Sequence, residues 1–112
     1  MTAFAVARLT DVKMGPEIVA YLTRIDATLA PFEGRFIIHG GPKIELEGRW
    51  PDDLIVIAFP SLSAARAWYD SPAYREILPL RTGHSSGVAI LIEGVDADHK
   101  ATDILSYPVV LT

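Results

Sequence analysis

Two uninterrupted apolar stretches most constrain the fold of this 112-residue chain. Residues 54–59 and 88–92 each have the length of a strand and are apolar at both odd and even positions. Because successive side chains of a strand point to opposite faces of the sheet, such runs are tolerated only when both faces are covered. The sequence therefore predicts a sheet with apolar residues on both sides.

The first part of the chain predicts a strand followed by an amphipathic helix. Residues 4–9 are short and apolar, which is typical of a strand. Pro16 suits the first position of a helix, and Pro31 ends it. Helical spacing connects four apolar residues of this segment, Ile18, Leu22, Ile25 and Leu29. Thr28 is expected on the outward side of the helix.

The rest of the chain predicts three further strands and a second helix. A strand over residues 35–47 would bend at Gly40-Gly41-Pro42, where glycine and proline disturb pairing. A helix begins after Pro60, restarts at Ser71, whose side chain suits a helix N-cap, and is stopped by Pro79. With the two apolar strands, the order is β-α-β-β-α-β. This is the ferredoxin-like α+β plan.

The second face of the predicted sheet needs a partner, because two helices can cover only one face of four strands. Burying one Val, Ile or Leu side chain contributes about 1.5–3 kcal/mol, so several of them would drive association. We therefore predict a homodimer packed sheet to sheet. The domain is expected to span residues 1–94. Residues 95–112 are a C-terminal extension, predicted to be an arm or an edge strand because its end is apolar and contains Pro108.

Composition excludes several partners and chemistries. A formal charge of -4 and an isoelectric point near 5.2, without a basic stripe, oppose binding of nucleic acid. The absence of cysteine excludes disulfides, thiolate nucleophiles and cysteine-ligated metals. Arg8 interrupts the apolar N-terminal stretch before a signal peptide or a membrane span could form. We therefore expect a cytoplasmic protein with no membrane partner.

Six segments resemble a known family in their order along the chain. They are Gly34-Arg35-Phe36, Gly40-Gly41-Pro42, Glu47-Gly48-Arg49-Trp50-Pro51, Phe59-Pro60-Ser61-Leu62, Ala67-Trp68-Tyr69-Asp70-Ser71-Pro72-Ala73-Tyr74 and Ile77-Leu78-Pro79-Leu80-Arg81. Over roughly residues 4–94, this set resembles the domain-of-unknown-function family 1330. The resemblance implies a dimeric α/β-barrel of ferredoxin-like protomers and a family without an established activity. Members often have Arg-Gly-Gly where this chain has His39-Gly40-Gly41.

Arg81 and His39 are candidates for binding and for chemistry. Arg81 follows the proline-terminated segment, where its fork of donors could clamp a carboxylate, or could pair with an acidic residue or with exposed carbonyls. His39 is predicted in mid-strand, with Ile37 on its own face and Phe36 and Ile38 on the other. A histidine there could be an acid or a base, or could be held by one local hydrogen bond.

Aromatic residues complete the candidate site. Tyr69, Tyr74 and Trp50 could contact a substrate, or could belong to the core and the interface, whereas Trp68 is predicted to be core. No metal site is predicted, because the three histidines are scattered and form no ligand pattern. No cofactor fingerprint is present, so the chain is expected to need no cofactor.

Three functions fit these residues. We favour a cofactor-independent enzyme acting on a small apolar acid, lactone or aromatic compound, in which Arg81 holds an anion, His39 moves a proton and a tyrosine orients the substrate. The alternatives are a non-catalytic protein that binds a small anionic or aromatic ligand, and a structural or interaction module whose aromatic residues are only core.

Overall fold

A computed structural model describes residues 1–106, which form one four-stranded sheet with helices packed against it. The strands are β1 (Ala3–Thr10), β2 (Arg35–His39), β3 (Asp53–Phe59) and β4 (Ser86–Glu93). The helices are α1 (Pro16–Leu29), α2 (Leu62–Asp70) and α3 (Pro72–Thr82), with 3-10 turns at Ala30–Phe32 and Ala101–Ser106. The predicted second helix is thus divided into α2 and α3. The ferredoxin-like α+β order is confirmed.

The sheet is antiparallel in the order β2-β3-β1-β4, so β1 is a central strand. Ala5 of β1 pairs with Ile57 on one side and with Leu91 on the other. Directly opposite residues share a face, and these three belong to the side that packs against the helices. Side chains alternate along a strand, so Phe4 and Val6 point to the other side, which we call the outer face.

The core lies between the helices and the sheet. Five side chains from α1, β3 and α3 are at most 2 % exposed there: Ile25, Leu29, Phe59, Tyr74 and Ile77. They come from both halves of the chain. The helices therefore dock on one common face of the sheet.

Two serine caps fix the start of α2 and of α3. The Ser61 hydroxyl accepts a hydrogen bond from the N–H of Ala64 at 3.1 Å. The Ser71 hydroxyl accepts one from the N–H of Tyr74 at 3.3 Å. The restart predicted at Ser71 is therefore confirmed, and the chain turns sharply between the two helices.

Pro79 was predicted to stop the third helix, and this was wrong. Proline lacks the N–H that would bond to the carbonyl of Arg75, but both residues are exposed, so water can satisfy that carbonyl. α3 continues to Thr82 and ends where the N–H of Gly83 donates to the carbonyl of Pro79 at 2.9 Å. This additional turn carries Arg81.

The strand predicted over residues 35–47 ends at His39. Gly40 and Gly41 have φ angles of 68° and 98°, whereas strand residues need negative φ. Residues 40–52 instead connect β2 to β3 as a loop, in which Ile44 and Leu46 are almost fully exposed.

Thr28 was predicted on the outward side of α1, but it is buried. Its hydroxyl donates to the carbonyl of Ile25 at 2.7 Å and accepts from the indole N–H of Trp68 at 3.0 Å. Burial is tolerated because these bonds satisfy both the hydroxyl and the indole. Trp68 is itself buried, so its predicted core position is confirmed.

The outer face is apolar, and residues 1–106 leave it largely uncovered. On β4, Val88, Ile90 and Ile92 remain 57 %, 53 % and 49 % exposed, and Ile38 on β2 is exposed as well. The sheet thus has apolar residues on both faces, as predicted, and one of these faces is open in the single chain.

The described part of the C-terminal extension contains the turn Ala101–Ser106. Pro108 and the apolar end of the extension lie outside the described residues, so the arm or edge strand stays a prediction. Among residues 1–106, none of the helices combines the length and the hydropathy needed to cross a membrane.

Candidate functional site

A cavity of about 420 Å³ lies between the helices and the sheet. Ala5 and Ala7 of β1 line it, and Ala3 continues the same side of the strand. We call these three residues the alanine row. An ordinary core would place larger aliphatic side chains on a central strand, so the row leaves space that they would fill. The volume suits one small molecule, since ligand pockets measure about 300–1,000 Å³.

Three aromatic side chains from α2 and α3 also line the cavity, and we call them the aromatic wall: Trp68, Tyr69 and Tyr74. The ring centroids of Trp68 and Tyr74 are 4.1 Å apart, and those of Tyr69 and Tyr74 are 5.5 Å apart. The turn capped by Ser71 brings them together from two helices. Arg75 stacks over the Tyr69 ring at 4.8 Å and covers it from the surface.

Polar groups gather where α1 meets α3. The hydroxyls of Tyr21 and Tyr74 are hydrogen-bonded at 2.7 Å, although the two residues are 53 positions apart in the sequence. The guanidinium carbon of Arg81 lies 5.9 Å from the centroid of the Tyr21 ring, and the guanidinium interacts with both hydroxyls. We call these three residues the Tyr-Arg cluster. All of them line the cavity.

Burial and neighbouring polar groups shift the pKa values of Tyr21 and Arg81. It raises the pKa of the Tyr21 hydroxyl well above the ordinary value of 10.0, Tyr74 adds to the shift, and Arg81 opposes it only in part. Burial also disfavours the charge on Arg81, but the Tyr74 and Tyr21 hydroxyls outweigh that effect and raise the pKa of the guanidinium. Tyr21 is therefore a neutral donor, and Arg81 is a permanent cation.

Arg81 has no carboxylate within 4.0 Å among residues 1–106, although it is partly buried. By contrast, three exposed arginines, Arg24, Arg66 and Arg75, pair with acidic residues at distances from 2.9 to 3.1 Å. A partly buried charge without a counterion is unfavourable. The arrangement therefore suits an anion from outside the chain.

The cavity lining brings together four of the predicted site residues, namely Tyr69, Tyr74, Arg81 and His39. It adds Tyr21, which the sequence prediction missed. A signal was available, because Tyr21 stands beside Leu22 in the apolar stripe of α1, and a tyrosine buried there needs a partner for its hydroxyl. Tyr21 is the buried member of that pair of neighbours, and Leu22 is exposed.

His39 lines the cavity at its exposed rim. A bulge between Phe36 and Ile38 shifts the pairing of β2. The His39 ring therefore stacks on the Phe36 ring, with centroids 4.4 Å apart and an angle of 12°. The prediction that these two residues face opposite sides was wrong, because a bulge inserts one extra residue into the alternation.

Trp50 does not line the cavity. It belongs to the loop of residues 40–52, where the guanidinium of Arg8 lies 5.9 Å from its ring. Arg8 points to the outer face and also pairs with Asp52 at 3.4 Å. The structure therefore does not bring Trp50 together with the other predicted site residues.

The other two histidines are engaged away from His39. Nδ1 of His84 lies 2.9 Å from the carbonyl oxygen of Leu80, and Nδ1 of His99 lies 3.8 Å from a carboxylate oxygen of Asp103. Residues 1–106 contain no group of three side chains that could hold a metal ion.

The fold and this site together define a small ferredoxin-like α+β protein with a cavity of ligand size between its sheet and its helices. The family model for the domain of unknown function DUF1330 matches residues 2–95. The chain therefore belongs to this family. A comparison with curated proteins gave no match.

Solved structures support the same fold. A protein of unknown function from Rhodopseudomonas palustris, RPA0582, has a TM-score of 0.61 and 18% sequence identity, covering 85% of this chain and 82% of that one. A dimeric ferredoxin-like protein of unknown function from Jannaschia has a TM-score of 0.62 and 11% identity, covering 84% and 100%. SnoaB from Streptomyces nogalater, a cofactor-independent oxygenase, has a TM-score of 0.59 and 15% identity, covering 88% and 98%. Likeness at these identities concerns the fold.

Proposed function

We propose that this protein is a cofactor-independent enzyme acting on a small, largely apolar acid, lactone or aromatic compound bound in the cavity. One observation carries the proposal: Arg81 is partly buried, charged and without a carboxylate partner among residues 1–106. An anionic or polarised oxygen of the substrate would supply the missing partner. The rest of the lining is mostly apolar, which suits the body of such a molecule.

The Tyr-Arg cluster supplies hydrogen-bond donors and positive charge. Tyr21 keeps its proton, so it serves as a donor and not as a base. Donors held in a water-poor site stabilise negative charge that develops on a substrate oxygen. The cluster therefore suits a carboxylate, or the enolate that forms when a carbonyl compound loses an adjacent proton.

Proton transfer needs another group, and His39 is the histidine of the described chain that lines the cavity. Histidine side chains exchange protons near neutral pH. In the proposed step, a C–H bond on the carbon next to the substrate's carbonyl carbon breaks, and its proton passes to the imidazole. The electron pair forms a C=C bond to the carbonyl carbon, and the carbonyl π electrons become the negative charge on the oxygen beside Arg81. Return of the proton to a different atom of the substrate completes an isomerisation.

The fold of SnoaB, named as a cofactor-independent oxygenase, makes chemistry without a cofactor plausible on this scaffold. This support is an analogy between folds, and it assigns no residue role here.

A second candidate function is binding without turnover. The observation in its favour is that His39 is exposed and held by stacking, with no hydrogen bond to its imidazole among residues 1–106. An acid or base is usually oriented by a hydrogen bond to its second nitrogen. On this view, Arg81 is required for the ligand and His39 is dispensable.

The test starts from a ligand-observed NMR screen of small acids, lactones and aromatic compounds. Each bound compound is then incubated with the protein in D2O. Conversion, or uptake of deuterium at carbon, supports the enzyme, and its loss in His39→Ala with binding retained supports the role of His39. A ligand that stays unchanged and binds equally well to His39→Ala supports the non-catalytic alternative and contradicts the enzyme.

Arg81→Gln tests the anchor. Hydrogen bonds to charged groups contribute about 1.5–3 kcal/mol, so the affinity should fall about tenfold or more. Arg24→Gln is the matched control, because Arg24 is an exposed arginine paired with Glu76. Equal affinity of the two variants for the ligand would overturn the proposed site.

We also propose that the protein is a homodimer packed sheet to sheet, with the outer faces of two copies in contact. The exposed Val88, Ile90 and Ile92 support this, since apolar residues of one β-strand face are suited to burial against a second sheet. The Jannaschia structure is named as dimeric, and its fold is similar. Light scattering of the folded chain at micromolar concentration tests it, and a monomer there would contradict it.

A further inference from the structure

The Tyr-Arg cluster has more donors than acceptors, and this surplus restricts the charge of the ligand. The Tyr21 and Tyr74 hydroxyls carry two protons, and only one of them is used in the bond between their oxygens. Arg81 adds five N–H donors and no acceptor. With no carboxylate within 4.0 Å of Arg81 among residues 1–106, the cluster suits a ligand group that only accepts. A carboxylate is such a group, whereas a carboxamide brings donors of its own.

The charges elsewhere in the lining favour a single negative charge. Arg66 also lines the cavity, but its guanidinium is paired with Asp70 at 2.9 Å. Among residues 1–106, this leaves Arg81 as the cation of the lining without an acidic partner. Asp53 adds a carboxylate to the same lining and has no ion pair among the described residues. A second carboxylate on the ligand would meet this like charge without a second cation. The site therefore suits a monoanion.

The shape of the lining favours a flat ligand body. The aromatic wall groups the rings of Trp68, Tyr69 and Tyr74, whose centroids lie between 4.1 and 6.1 Å from one another. Trp68 and Tyr74 are 3 % and 2 % exposed, so Tyr69 is the ring of the wall most open to a ligand. The alanine row offers only methyl groups on the strand beneath. Aromatic rings prefer stacked or edge-to-face contacts with other rings, which a planar ligand provides and a puckered aliphatic ring does not.

We propose that the cavity binds a planar aromatic monocarboxylate, with its carboxylate on the Tyr-Arg cluster and its ring against the aromatic wall. This inference rests on the cavity being the functional site, as argued above, and it names the class of compound. Lactones, neutral aromatics and dicarboxylates are then disfavoured ligands.

Isothermal titration of the full chain with four probes of related shape tests this inference. The probes are naphthoate, the neutral naphthamide, the saturated decalin carboxylate and a naphthalene dicarboxylate. Naphthoate should bind about tenfold or more tightly than naphthamide, because of these two probes only naphthoate offers an anion to the charged Arg81. The decalin carboxylate and the dicarboxylate should each bind more weakly than naphthoate. Equal binding of naphthoate with either naphthamide or the decalin carboxylate would overturn the proposed class.

Variants separate the class of ligand from the site. In Arg81→Gln, the preference for naphthoate over naphthamide should disappear, while its circular dichroism spectrum stays that of the natural chain. The control Arg24→Gln should keep the preference of the natural chain. Tyr21→Phe removes one donor proton without changing the ring and should weaken naphthoate more than naphthamide. A preference that survives both substitutions would overturn the assignment of the carboxylate to this cluster.

Failure of the class and failure of the site give different results. Suppose that aromatic acids do not bind, but that other compounds bind the natural chain and fail to bind Ala5→Leu. The proposed class of ligand is then wrong, and the cavity remains the site. If every compound that binds is indifferent to both Ala5→Leu and Arg81→Gln, the class and the proposed function are both wrong.

Discussion

The two faces of β1 carry side chains of different size, although they alternate along one strand. Toward the helices the strand places the alanine row, and toward the outside it places Phe4 and Val6. The small side chains leave a cavity under the helices. The large ones join exposed residues of β4 in an apolar face. A period of two in side-chain size thus separates a cavity from an exposed apolar face.

The difference between the two faces of β1 bears on function, because small side chains on the helix-facing side contribute less burial to the stability of the fold. Each buried methylene contributes about 0.8 kcal/mol, so alanine at the helix-facing positions forgoes burial that valine or leucine would supply. A module with only a structural role gains nothing from that loss. The outer face forgoes burial only while the chain is alone, since a second copy can cover it.

The largest expected effect on stability comes from removing the Tyr74 side chain on the helix-facing side of the sheet. Tyr74→Ala removes a buried ring that contacts Trp68 and Tyr69, together with the hydrogen bond to Tyr21. We expect the free energy of unfolding to fall by about 3–5 kcal/mol, as for other large-to-small core substitutions. Urea denaturation measures this. A loss similar to that of Tyr69→Ala, which removes a less buried ring, would contradict the central position of Tyr74.

The outer face is broken by Ile92→Lys. Each copy of the proposed dimer loses about 1.5–3 kcal/mol of apolar burial and gains a buried charge, so the dimer should dissociate. Sedimentation velocity should show a monomer, with unfolding of the monomer little changed. The control is Ala27→Lys on the exposed side of α1, which should remain dimeric. Dissociation of both variants, or of neither, would refute the outer face as the specific contact.

A smaller effect is expected in the pH dependence of stability, through Tyr21 on the helix-facing side. The pKa of Tyr21 is raised in the folded chain, so the folded state keeps a proton that the unfolded state loses above pH 10.0. Stability from this group is therefore complete below pH 10.0 and declines as the pH rises further, by at most about 1.4 kcal/mol per pH unit. Urea denaturation across this range should show a shallower decline in Tyr21→Phe. At neutral pH, that variant should lose about 0.5–1.5 kcal/mol for the missing hydrogen bond. Identical slopes would mean that Tyr21 titrates as it does in the unfolded chain.

The smallest effect on stability is expected from filling the cavity with Ala5→Leu. The added carbons gain burial, but shifts of the surrounding side chains offset most of that gain, so the free energy of unfolding should change by less than about 1 kcal/mol, toward greater stability. Ligand binding in the NMR screen should nevertheless be lost. Ala27→Leu adds the same side chain on the surface of α1, away from the cavity. As the control, it should bind the ligand as the natural chain does. A large destabilisation by Ala5→Leu would mean that the space beneath the helices is not available.

Much of the fold could be predicted from the sequence because its signals are local. Apolar runs mark β3 and β4, Ser71 marks the start of α3, and the order of elements follows. The failures at Pro79 and Thr28 arose where surroundings override local preference. Exposure lets α3 tolerate a proline, and the indole of Trp68 lets α1 bury a threonine.

The candidate site was harder to predict because its contacts are distant in sequence. Tyr69, Tyr74 and Arg81 stand close together in the chain, but Tyr21 joins them from 53 residues before Tyr74. The bulge in β2 turned His39 toward Phe36, and no residue pattern marks such a bulge in advance. The alternation of alanine with larger residues along β1 was visible in the sequence and marks the position of the cavity.

The Tyr-Arg cluster draws its residues from two distant helices, so the proposed ligand recognition depends on the whole fold. A chain in which α1 has not docked holds Tyr74 and Arg81 without Tyr21, and therefore lacks the complete set of donors. A ligand that needs all three draws the folding equilibrium toward the native state, by about 2.7 kcal/mol at a hundredfold excess over its Kd. Since proteases in cells remove chains mainly from unfolded states, the proposed ligand would also raise the amount of this protein that persists.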